Sequence, residues 1–177
     1  MSTLKILYSP EDIKARLQEL AGEIHDTYGN EPFTAVVILK GAIFFAADLL
    51  RQLANPIDLQ FVELETHPHP ALEQEISIRY WSRDFDIRGK DVLIIEDVLD
   101  TGVTLEFLIR ALEQHEARSI RICCLLEKPA RRRVDVRADF VGFVVPEIFI
   151  VGYGLHWQGR YRNLPYLAEL VKEAEKA

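Results

Sequence analysis

The run Val92-Leu93-Ile94-Ile95-Glu96-Asp97-Val98-Leu99-Asp100-Thr101-Gly102-Val103-Thr104 constrains this chain more than any other stretch. Val92 to Ile95 are apolar and mostly β-branched, the pattern of a strand covered on both faces of a parallel sheet. The strand ends in two adjacent carboxylates and passes into a Thr-Gly-x-Thr loop, with a helix opening behind it. Small and hydroxylated residues there present successive backbone N–H groups and hydroxyls to a phosphate at a helix N-terminus. Phosphate donors beside carboxylates point to a ligand that carries a phosphate together with sugar hydroxyls or a metal. A phosphorylated sugar fits that description.

The elements around this run alternate. Ser9 as N-cap, Pro10 at the first helical position and Asp12 in a near capping box open a helix with the apolar stripe Ile13, Leu17, Leu20 and Ile24, and Gly29 stops it. Thr34 to Leu39 reads as a buried strand, followed by Lys40-Gly41 and a helix from about Ala42 to Leu53. Ile57 to Leu64 is a second strand, Glu65 to Glu75 a mobile loop with Pro68 and Pro70, and Ile76 to Trp81 a strand leaning over it. After the motif strand Asp91 to Ile95, the pattern predicts a helix over Leu105 to His115, strands over Ser119 to Leu126 and Phe140 to Val144, and a closing helix over Leu164 to Glu173. Such alternation predicts an α/β fold with a mainly parallel twisted sheet flanked by helices. Ligands of such sheets sit outside the carboxyl ends of the strands, where Lys40-Gly41, Glu96 to Thr104 and Lys128 all fall.

The 177 residues suit one domain, 1–177, with a sizeable core, and neither repeats nor a linker divide them. A net charge of −7 argues against a nucleic-acid surface, and the basic run Arg131-Arg132-Arg133 reads as a solvated loop. No apolar run approaches a membrane span and no signal-peptide pattern opens the chain, so no membrane partner and a cytoplasmic location are expected. Cys123 and Cys124 are neighbours in a strand-like run and point to opposite faces, as two buried hydrophobes do.

These residues together resemble the type I phosphoribosyltransferases, and specifically their hypoxanthine-guanine branch. Glu96 to Thr104 is similar to that family's phosphoribosyl pyrophosphate motif, and Leu39-Lys40-Gly41 to its pyrophosphate loop. Leu125-Leu126-Glu127-Lys128, Asp139 to Pro146, Phe149 to Leu155 and Arg160 to Tyr166 resemble the base-binding region. The resemblance implies the family fold, with a small hood over the active-site crevice. It also implies transfer of a phosphoribosyl group from phosphoribosyl pyrophosphate to N9 of hypoxanthine or guanine, releasing pyrophosphate in purine salvage.

It implies roles as well. Lys40, Gly41, Glu96, Asp97, Asp100, Thr101, Gly102, Val103, Thr104 and Arg162 would bind phosphoribosyl pyrophosphate, with Mg²⁺ on the ribose side of Glu96 and Asp97. Asp100 would be the catalytic base at purine N7. Phe149 would stack on the purine, the Ile150 backbone would read its edge, and Lys128 would donate to the 6-oxo group. Donor facing donor would reject adenine, since a buried unpaired donor costs about 1–3 kcal/mol. Family members are dimers or tetramers, so a homodimer or homotetramer is expected.

Two positions depart from the pattern. Thr66-His67 stands where the family carries a Ser-Tyr pair in a flexible catalytic loop, and His156 where it carries an aspartate that holds a second Mg²⁺. Histidine suits softer metals than Mg²⁺; protonated, it would instead contact pyrophosphate itself. The departures leave two other readings open: a nucleotide-binding or regulatory protein with little turnover on the same scaffold, or a transferase for another base such as xanthine. Taken alone, Lys128 is an ordinary surface lysine and Phe149 a core aromatic. Tyr153, Trp157 and Tyr161 are packing or interface residues.

Overall fold

The structure, a computed structural model, describes residues 2–69 and 72–172. The elements in chain order are β1 (Ser2–Tyr8), α1 (Pro10–Tyr28), β2 (Phe33–Leu39), α2 (Ile43–Leu50), β3 (Ile57–His69), β4 (Leu72–Trp81), β5 (Asp91–Leu99), α3 (Val103–Gln114), β6 (Ser119–Glu127), β7 (Phe140–Val144), β8 (Ile150–Val151) and β9 (Leu167–Lys172).

Six strands form the main sheet in the order β4-β3-β2-β5-β6-β7. All neighbours are parallel except β4, which lies antiparallel on β3. Side chains alternate between the two faces. Ala35, Val37, Leu93, Ile95, Cys123 and Leu125 pack with α1 and α2, whereas Val36, Ile38, Val92, Ile94, Ile122 and Cys124 pack with Leu105, Leu108 and Leu112 of α3. The two adjacent cysteines are thus split between two cores, as expected. Burial pushes both thiols up, so they remain neutral.

α1 begins as its sequence requires: Ser9 and Asp12 form a reciprocal capping box and Pro10 occupies the first turn. Its stripe of Ile13, Leu17, Leu20, Ala21 and Ile24 is buried, each large side chain stabilising by about 1.5–3 kcal/mol.

Two predicted segments differ. The described residues of the predicted closing helix, 164–172, are not helical; β9 pairs antiparallel with β1 and β8 to make a second, three-stranded sheet. Leu, Ala, Glu and Lys favour a helix locally, but pairing with the distant Ser2–Tyr8 outweighs that weak preference. The segment predicted as a loop over 65–75 is strand throughout its described residues. Thr66 pairs with Ile76 and His67 with Glu75, extending a long β3–β4 hairpin past the sheet. Beyond Glu63, β3 pairs only with β4 among the described residues, and a proline such as Pro68 is tolerated on that edge. Pro70 lies outside the described residues.

Candidate active site

β2, β5 and β6 all end on the same side of the sheet, and the chemistry-bearing residues follow their ends. Glu96 and Asp97 are the last polar residues of β5, and the chain then turns through Asp100-Thr101-Gly102 into α3. Gly102 is the helix N-cap at φ +86, the left-handed region that favours glycine, and it offers no side-chain cap. The Val103 N–H makes only a long bond to the Thr101 hydroxyl, at 3.5 Å, and the first N–H groups of α3 have no side-chain cap from Gly102. Glu96 to Gly102, with Thr104 and Leu105, line a cavity of about 230 Å³.

The Lys40-Gly41 turn lies against Asp97, one of the residues that line that cavity. The Leu39–Lys40 peptide is cis. A Cβ on Gly41 would lie 1.5 Å from Asp97 Oδ2, so no other residue fits there without moving the carboxylate. On its far side, a Cβ on Gly154 would meet the Gly41 carbonyl at 1.9 Å. Arg162 Nη1 donates to the Gly154 carbonyl at 2.6 Å, which ties the third wall to the same point. Lys40 extends outward and pairs with Glu63 at 3.4 Å.

Glu96 is only 8% exposed. Burial, reinforced by the neighbouring Asp97 charge, holds its carboxyl well above the usual range. Two crowded carboxylates with no ion pair to either among the described residues are suited to a hard divalent ion. Among the described residues no cluster of three or more His, Cys, Asp or Glu could hold a metal. Glu96 and Asp97 are the residues that would hold a hard divalent ion, which one or two carboxylates suffice to bind beside a phosphate. His156 sits on an exposed turn, its Nδ1 accepting from the Gly159 N–H at 3.0 Å, which leaves Nε2 as its second nitrogen.

A second group of residues lies across the crevice. Lys128, at the end of β6, donates from Nζ to the Ile148 carbonyl at 2.7 Å and, with three protons, keeps donors to spare. Burial first, and then the Arg131 cation, pull its pKa down. Phe149 is 46% exposed, with Trp157 packed edge-on at 4.9 Å, so it is an open platform rather than a core aromatic. Ile150 is buried in β8 of the three-stranded sheet, two residues after Ile148, whose carbonyl Lys128 engages. Tyr153 is a packing residue, its hydroxyl donating to Asp48 Oδ2 at 2.7 Å.

The arginine run is not a solvated loop. Arg131 donates from Nε to Asp100 Oδ1 and from Nη1 to Glu147 Oε1, both at 2.5 Å. Arg132 reaches the Asp100 carbonyl at 2.6 Å and Glu127 at 2.7 Å, and the Arg133 N–H bonds the Thr101 carbonyl. Sequence reading missed this clasp and Glu147; the available signal was three cations directly after Lys128 at a strand end. Thr66 and His67 stand on the β3–β4 hairpin, His67 3.6 Å from Glu65.

A mainly parallel sheet with a glycine turn into a helix, paired carboxylates and a lysine–aromatic pair at its carboxyl ends fits the class of sugar-phosphate-dependent transferases. The phosphoribosyl transferase domain family matches residues 4–158, and the chain belongs to that family. It is 40% identical over 167 residues to the hypoxanthine-guanine phosphoribosyltransferase of Bacillus subtilis, covering 94% of this chain and 92% of that one. It is 41% identical over 169 residues to the hypoxanthine-guanine phosphoribosyltransferase of Aquifex aeolicus, covering 94% and 95%. Among solved structures, a hypoxanthine-guanine phosphoribosyltransferase from Bacillus anthracis superposes with a TM-score of 0.88 at 35% identity, covering 96% of this chain and all of the other. No described helix is long and apolar enough to cross a membrane.

Proposed function

We propose that this protein is a purine-salvage enzyme that transfers the phosphoribosyl group of phosphoribosyl pyrophosphate to N9 of hypoxanthine or guanine, giving IMP or GMP and pyrophosphate. The observation that carries this reading is the convergence on one crevice of the Asp97–Gly41 contact, the α3 phosphate turn and the Lys128–Phe149 platform.

Thr101, Gly102, Val103 and Thr104 hold the 5′-phosphate through N–H and hydroxyl donors at the positive end of α3. Glu96 and Asp97 accept from the ribose hydroxyls and favour positive charge developing on the ribose. Lys40, Gly41 and Arg162 line the leaving-group side. Glu96 and Asp97 would hold Mg²⁺, which would supply charge neutralisation for the pyrophosphate. Lys128 donates to the purine 6-oxo group, Phe149 stacks on the ring, and the Ile150 backbone reads its edge. Asp100 accepts the N7 proton as N9 becomes the nucleophile. The proposal carries with it a cytoplasmic location and a homodimer or homotetramer, both implied by the family.

The test is pyrophosphate release by the purified protein with phosphoribosyl pyrophosphate, Mg²⁺ and hypoxanthine, guanine, xanthine, adenine or uracil. Turnover with hypoxanthine or guanine and none with adenine is expected. One observation favours a second reading, a nucleotide-binding protein with little turnover: His156 stands where the family carries a metal-holding aspartate, and its Nδ1 is already engaged by the Gly159 N–H. Substantial turnover with any base removes it.

A further inference from the structure

We propose that Arg131 is a positioning residue that clamps one oxygen of Asp100 and so dedicates the other to the N7 proton of the purine. This rests on the transferase reading above. Arg131 bridges two carboxylates on separate segments: Asp100 Oδ1 on the phosphate turn and Glu147 Oε1 just before Ile148-Phe149, each at 2.5 Å. The backbone carbonyl of Asp100 is held separately by Arg132 Nη1 at 2.6 Å. Among the described residues nothing hydrogen-bonds Asp100 Oδ2, and Asp100 lines the cavity beside the phosphate turn.

A planar guanidinium with both of its used N–H groups engaged cannot rotate away from one partner without losing the other. It therefore fixes the plane of the Asp100 carboxylate, which a free aspartate does not do. The bridge also ties the phosphate turn to the segment that carries Phe149, and the neighbouring Lys128 makes a balanced cluster of two anions and two cations. Arg131 and Asp100 are 39% and 38% exposed, so the pair adds little to folding stability. Its consequence is orientation, where small misplacements of a proton acceptor are costly.

The test is calorimetric binding of two hypoxanthine analogues to the full chain and to its Arg131→Gln and Arg131→Met variants, with ribose 5-phosphate present. 9-Deazahypoxanthine carries an N–H at position 7, whereas 7-deazahypoxanthine carries a C–H there. The unsubstituted protein is expected to prefer the 9-deaza compound about tenfold or more, and both variants to hold that preference below about threefold. Melting temperatures are expected to stay together. A purely structural role would weaken both analogues alike and leave the ratio standing. A ratio retained in either variant, or absent from the unsubstituted protein, overturns the role of Arg131. Base-dependent pyrophosphate release, measured in parallel on the unsubstituted protein, reports separately on the transferase reading.

Discussion

Asp97 occupies the space that any side chain at residue 41 would need: its Oδ2 lies 1.5 Å from where a Cβ on Gly41 would stand. A carboxylate from β5 and the backbone after β2 are thereby in direct contact across the crevice. Gly41→Ala must push Asp97 out of place while leaving both cores untouched. Activity is expected to fall by about 100-fold or more with folding preserved, because misplacing a positioned group is that costly. Steady-state kinetics beside a thermal melt check it, and an active Gly41→Ala protein would show that Asp97 is not needed where it stands.

Glu96 makes the metal-free protein sensitive to alkali. Its folded-state carboxyl is held well above the ordinary value of 4.5 by burial and by Asp97. A raised carboxyl contributes its stability below the unfolded value and loses it as pH rises through the folded one. Without divalent cation, Glu96→Gln is expected to melt higher than the unsubstituted protein by about 3 °C or more near about pH 8, and by much less near about pH 5. Melting curves across that range decide it; a difference that shrinks as pH rises would reverse the assignment.

Asp100→Asn keeps the shape of the side chain and removes its basicity. Turnover is expected to drop about 10²- to 10⁴-fold, the usual worth of a positioned base, with the KM for phosphoribosyl pyrophosphate little changed. Unchanged turnover would remove Asp100 from proton transfer.

Lys128→Gln replaces an obligate donor with a side chain that also accepts. The kcat/KM for hypoxanthine is expected to fall about 10- to 100-fold, while that for adenine falls less or rises. Competition between the two bases measures the ratio directly, and an unaltered ratio would show that Lys128 does not read position 6.

His156→Asp restores an oxygen ligand at the turn, whose histidine Nδ1 now accepts from the Gly159 N–H. Turnover is expected to rise, with a steeper dependence on Mg²⁺ concentration, since Mg²⁺ prefers carboxylate to imidazole. A Mg²⁺ titration of both proteins tests this, and identical curves would place residue 156 away from any metal.

The parts of this protein that depend on neighbours in sequence were legible in the chain itself. The capping box of Ser9 and Asp12, the buried runs of β2 and β5, and the Glu96 to Thr104 turn each follow from short-range patterns. Even the splitting of Cys123 and Cys124 between two cores follows from strand periodicity. Contacts between distant segments were decided only in the tertiary structure. Leu167–Lys172 becomes a strand because Ser2–Tyr8 lies beside it, and residues 65–69 join a hairpin because β4 pairs with them. Arg131 is bound between Asp100 and Glu147, 31 residues before it and 16 after, although a run of arginines reads as solvated. Local pattern specifies backbone state and burial, since those are set by hydrogen bonds and side chains a few residues apart. Which charge meets which is set by the sheet order, and no local pattern encodes it.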